Sequence, residues 1–121
     1  MQDFHNLRAW KKAHVLAIAV HGLVGRFPKR GYATIRRQMI RSAESIADRI
    51  AEGCGAATNP EFARFLDMSI KSTSELENQF ERARGYRILS QQAFIHFSTE
   101  VRDIRKMVWS LRDTVLRSPD G

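Results

Sequence analysis

The chain is expected to fold as an all-α protein, an antiparallel up-down-up-down four-helix bundle. Three observations lead there. Apolar residues recur every three or four positions through four long segments and nowhere alternate as a half-buried strand requires. Short connections carrying glycine, proline and capping residues separate the segments. The last two segments keep a heptad spacing, which favours left-handed antiparallel packing.

The first helix is expected over about residues 6–26. Leu7, Trp10, His14, Ala17, His21 and Val24 form one stripe, and Ala13, Leu16, Val20, Leu23 and Phe27 a second beside it. Together they make a face wider than one neighbouring helix covers, which points to self-association. Phe27 precedes Pro28, and a residue before proline disfavours the helical region. The second helix, about 33–52, turns Ile35, Met39, Ala43, Ile46 and Ile50 inward and leaves Arg37, Arg41, Glu44 and Asp48 outside. Gly53 is expected to stop it in a left-handed conformation. The third helix, about 60–84, has Asn59 as expected N-cap, Pro60 at its first position and Glu61 against the positive end of its dipole. Its core stripe is Phe62, Leu66, Ser69, Thr73, Leu76, Phe80 and Ala83, with Gly85 as its stop. The fourth, about 91–116, is capped by Ser90 and buries Phe94, Phe97, Val101, Ile104, Val108, Leu111 and Val115. Residues 117–121 are expected to fray.

At 121 residues the chain makes one domain, 1–121, large enough to bury roughly two-thirds of its unfolded surface. A single cysteine cannot form an intramolecular disulfide, the N-terminus lacks the order of a signal peptide, and no apolar run can span a bilayer. A cytoplasmic protein with no membrane partner is expected. The net charge of +7 is uneven: residues 1–60 carry +6 and residues 61–121 only +1. From Phe4 to Ala43 there are nine basic residues and no acidic one. That skew suits a polyanionic partner, although a solvated surface would read the same way.

Enzyme and cofactor chemistry finds little support in the residues. His14 and His21 lie seven apart, not at the i,i+3 or i,i+4 spacing of ligands on one helix, and no Glu-x-x-His motif occurs. Both are expected as partly buried histidines at a helix or subunit interface, and neither a metal nor a cofactor is expected. Gly53-Cys-Gly55 is not a phosphate-binding loop. Cys54 follows a helix C-terminus and Glu52, where a thiolate is disfavoured, so it reads as a small turn residue and not a nucleophile. The basic residues are more informative. Arg30, Arg36, Arg37 and Arg41 cluster around the first connection, with Lys11 and Lys12 toward the other end of the first helix. Tyr32 sits within the first cluster, and Trp109 lies among Arg102, Arg105, Lys106 and Arg112. Arginines with an occasional aromatic can hold phosphates and stack on bases. No base-reading module is evident, so any such binding would be weakly sequence-specific.

The pieces DFHNLRAWKKAH (Asp3 to His14), FPK (Phe27 to Lys29), Gln38 followed by Arg41 to Ala43, SIADRIAEG (Ser45 to Gly53) and EFARFLDMSIKSTSELENQ (Glu61 to Gln79) resemble, in order and spacing, the family of 23S rRNA intervening-sequence proteins. The resemblance spans nearly the whole chain. It implies a short bacterial four-helix bundle that assembles into a ring-like homopentamer. It also implies kinship with accessory proteins of diversity-generating retroelements, which are basic bundles that bind nucleic acid and a reverse transcriptase. Two positions depart from the family. Ala47 stands where proline is frequent, which should straighten the second helix, and Arg49 stands where asparagine is frequent.

The leading expectation is therefore a non-enzymatic homo-oligomer that binds RNA or DNA through phosphates. Arg30, Arg36, Arg37 and Arg41 would serve first, Lys11 and Lys12 second, and Trp10, His14, His21 and Trp109 are candidates for the subunit interface. The alternative is a protein-interaction scaffold that does not touch nucleic acid itself.

Overall fold

Four helices organise residues 2–119, the part of the chain described by the computed structural model: α1 (Arg8–Val24), α2 (Ala33–Cys54), α3 (Asn59–Gly85) and α4 (Gln91–Arg117). A single 3₁₀ turn, Phe4–Asn6, precedes α1, and the described residues contain no strand. Each helix packs on its neighbour in sequence, and α1 closes the bundle lightly against α4. The inward stripes predicted for α2 and α3 are buried in full. In α4, Val101, Ile104, Val108 and Val115 are buried, while Phe94, Phe97 and Leu111 pack at the edge of the core. Each fully buried Leu, Ile or Phe contributes about 1.5–3 kcal/mol, so the core explains the fold.

Several boundaries differ from expectation, each for a local reason. The first helix begins at Arg8 and not near residue 6, because Asp3 caps a separate turn: its carboxylate accepts from the His5 amide at 3.0 Å. It ends at Val24, and Gly25 and Arg26 form a turn before Phe27 drops into the core. Asn59 is not the N-cap of α3. Thr58 is, accepting from the Glu61 amide at 3.2 Å, while the Asn59 side chain reaches the Ser118 carbonyl at 3.4 Å. Gly85 is the last residue of α3, as expected, although the left-handed conformation of the stop is not its own. That conformation falls two residues later on Arg87, with φ 63°. The Ile88 amide donates back to the Ala83 carbonyl and the Arg87 amide to that of Arg84, the paired bonds of a Schellman turn. Placing an arginine there costs about 1 kcal/mol that glycine would avoid. Of the expected frayed tail, Asp120 and Gly121 lie outside the described residues.

Gly53 is the most instructive departure. It does not stop α2, which runs on to Cys54, and it is buried inside the helix. A β-carbon at Gly53 would lie 2.7 Å from Phe62 Cδ1 and 3.1 Å from Phe65 Cβ. Glycine is there because α3 starts directly against it, not because the chain must turn. Downstream, the Ser69 hydroxyl of α3 donates to the Ile46 carbonyl of α2 at 2.8 Å, and Ser72 and Ser45 share a bond of 2.9 Å. With Ala47 in place of the frequent proline, α2 is uninterrupted from Ala33 to Cys54.

Gly53→Ala is expected to destabilise the protein by about 1–3 kcal/mol, since the new methyl must displace Phe62 or the α3 backbone. Gly85→Ala, whose methyl meets nothing within 4 Å, should instead be neutral or stabilise by about 0.5 kcal/mol. Urea unfolding of the two variants checks the contrast.

Candidate nucleic-acid interface

An up-down-up-down bundle places its first and third connections at the same end. Tyr32, before α2, and Tyr86, after α3, meet there with ring centroids 5.9 Å apart. The Arg82 guanidinium of α3 donates to the Gln38 side chain of α2 at 3.1 Å. This end collects Arg26, Lys29, Arg30, Arg36 and Arg37 from one side and Arg82, Arg84 and Arg87 from the other, with Glu81 as the one acid between residues 24–38 and 79–92. The opposite end, formed by residues 2–8, 51–64 and 111–119, holds four basic and four acidic residues. The Gln2 amide donates to the Cys54 carbonyl there. The chain's net charge is therefore concentrated at one pole.

The basic residues of that pole do different jobs. Arg36 is tied to its own connection, donating to the Pro28 carbonyl at 2.7 Å and the Lys29 carbonyl at 3.5 Å. Arg84 does the same for the other connection, donating to the Leu89 carbonyl at 3.1 Å and to Gln91 at 2.9 Å. Arg26, Lys29, Arg30, Arg37 and Arg87 are exposed, with side chains unpartnered among the described residues. Tyr32 occupies the N-cap of α2 without a side-chain capping bond, so the positive end of that helix adds to the field. Between the connections lies a groove of about 470 Å³ lined by Gly31, Tyr32, Thr34, Ile35, Gln38, Arg82 and Tyr86.

The other residues singled out from sequence scatter. Arg41 is exposed one turn beyond Arg37, next to Glu44, Asp48 and Glu52. Lys11 is exposed and Lys12 half-buried, some fifteen residues from Arg26 and so roughly 22 Å away along the rise of a helix. The cluster around Trp109 is largely spent on packing. Arg102 and Arg105 both bind Glu77, Arg105 also donates to Thr73, and Arg112 pairs with Asp67 while lying over the Trp109 ring at 5.2 Å. Partial burial pushes the Glu77 carboxyl up, but hydrogen bonds and charge from Arg105 and Arg102 outweigh it and hold the group below the usual range.

The aromatic and histidine candidates on α1 also separate. Trp10 stacks on His14 at 4.8 Å and contacts Phe4 at 4.9 Å, so it pins the N-terminal turn to α1. In the single chain His14 and His21 are exposed, because α2 meets α1 along Ala17 and the core stripe beside them. They edge a groove of about 510 Å³ with Ile18, Glu44 and Asp48. Val15 and Ile18 are 64% and 62% exposed, giving α1 an uncovered apolar face. No group of three or more His, Cys, Asp or Glu able to hold a metal forms among the described residues. No helix among them is long and apolar enough to cross a membrane. Cys54 is buried, and desolvation, with the charge of Asp3, pushes its thiol up to about 11.

Comparison with known proteins places these features in context. Residues 5–110 match the family model described as 23S rRNA-intervening sequence protein. The fold is shared with a crystal structure from Bacteroides thetaiotaomicron, a protein of unknown function from the S23 ribosomal protein family. It is similar at a TM-score of 0.78 and 18% identity, covering 86% of this chain and 97% of that one. No curated protein matches the chain.

At pH 8 the shift at Cys54 leaves about a hundredfold less thiolate than an unperturbed cysteine has. Alkylation by iodoacetamide is expected to be slower in the folded protein by at least that factor and to reach the rate of a free thiol in denaturant. Mass spectrometry of quenched samples follows it directly.

Proposed function

The chain belongs to the 23S rRNA-intervening sequence protein family, and we propose that it is a homo-oligomeric bundle that binds RNA or DNA through phosphates, with little sequence specificity and no turnover of its own. The observation that carries this reading is the basic pole. Five unpartnered cations, reinforced by Arg36, Arg82 and Arg84, face solvent around two connections with a single acid among them. Such a field attracts a polyanion without reading its bases. Among the residues first singled out, Arg30 and Arg37 stand in the contact surface. Arg36 holds the connection in shape, Arg41 borders it, and Lys11 and Lys12 act as outlying cations. The buried, protonated Cys54 supports a role without nucleophilic catalysis.

The uncovered face of α1 supports self-association. Its exposed Val15 and Ile18, beside His14 and His21, are apolar surface that a second copy of the chain would cover. The pentamer is the assembly that family resemblance suggests, and several +7 chains in one ring would make weak contacts avid. The retroelement kinship makes a reverse transcriptase the protein partner to seek by co-purification.

Binding of a fluorescent oligonucleotide should weaken steeply between about 50 and 200 mM salt, with a log–log slope of about −0.7 per phosphate neutralised on a single strand. The double variant Arg30→Glu, Arg37→Glu should lose tenfold or more, whereas Arg64→Glu, Arg117→Glu at the neutral end should lose far less. A flat salt response, or no binding at low salt, would leave the scaffold reading in its place. For assembly, Ile18→Glu should lower the mass seen by light scattering toward that of one 13.9 kDa chain, with helicity unchanged.

A further inference from the structure

We infer that the Tyr32–Tyr86 groove is a single-strand site, in which an unpaired base stacks on Tyr86 while the surrounding arginines hold the flanking phosphates. The inference rests on the nucleic-acid reading above and narrows it to one class of ligand and one place. Tyr86 is 49% exposed although it is a large aromatic, and it sits in the middle of the charged pole instead of in the core. The two rings are 5.9 Å apart and inclined by 42°. A base sandwiched between them would need parallel rings about 7 Å apart, twice a stacking distance of roughly 3.4 Å. The base therefore stacks on the exposed part of the Tyr86 ring and is not sandwiched, while Tyr32 lines the groove beside it.

The groove's charge is set for a backbone that passes over this ring. Arg82 lines it, fixed by its bond to Gln38, and Arg87 follows Tyr86 directly. Arg87 holds the left-handed conformation at an exposed turn where glycine would be less strained. Gly31, with φ 91°, also lines the groove and brings no side chain to it. A duplex keeps its bases stacked on each other and cannot offer one to Tyr86, so it would meet only the charge.

The test compares a labelled thymine strand of about 20 nucleotides with a duplex of the same length. Against wild type, Tyr86→Ala should weaken single-strand binding roughly tenfold, the factor one base–aromatic stack supplies, and leave duplex binding within about twofold. Tyr86→Phe should restore single-strand binding, since the ring and not the hydroxyl carries the contact. Circular dichroism confirms that each variant is folded. Equal loss on both ligands, or no loss on either, overturns the single-strand site while leaving phosphate binding standing. Wild type that binds neither ligand at low salt overturns both readings together.

Discussion

The close antiparallel packing of α2 on α3 is the constraint from which the rest of the molecule follows. It is the most extensive helix pair in the bundle, and its surfaces are kept small where the helices approach. Gly53 leaves room for Phe62, and Ser69 reaches across to the Ile46 carbonyl. Those contacts set the register of the two helices. Register in turn determines that the connection before α2 and the connection after α3 finish level, so that Tyr32 meets Tyr86 and Arg82 meets Gln38. A shift of one turn, roughly 5.4 Å, would separate both pairs.

Once that register is set, arginine takes three distinct roles in one small protein. Arg102, Arg105 and Arg112 fasten α4 to carboxylates of α3, and of these pairs only Arg105–Glu77 is shielded on both sides, at 24% and 23% exposure, and so worth more than a surface ion pair. Arg36 and Arg84 satisfy carbonyls that each connection leaves open, a task suited to a planar donor fork. A third group, Arg26, Arg30, Arg37 and Arg87, points at solvent around the pole. Net charge alone does not distinguish these roles, because a paired arginine and a free one count equally. The field at the turn end comes from the third group, together with the scarcity of acids near it.

Most of the fold was legible in the sequence, and the reasons are local. The seven core positions of α3 and the five of α2 were evident from spacing, since a buried stripe needs only the helical period. Ser90 caps α4 as its chemistry requires. The glycines were harder. Gly53 and Gly85 both stand near helix ends, where a left-handed stop is the common reason for glycine. Gly85 does end α3, but neither glycine is left-handed, and after α3 that conformation falls on Arg87. The candidate site was half legible. The cluster from Arg26 to Arg37 is continuous in sequence and was found. Arg82, Arg84 and Arg87 sit in a half of the chain with net charge +1, so composition concealed them.

By itself, the sequence determined the number of helices, their core faces and an excess of positive charge, because each depends on composition or on spacing within one helix. Tertiary structure alone decided which arginines are free, why Gly53 is a glycine, and that two tyrosines 54 positions apart share one groove. Those are consequences of how helices are set against each other. The energy that sets them is spread over many long-range contacts, and no single segment of the chain contains it.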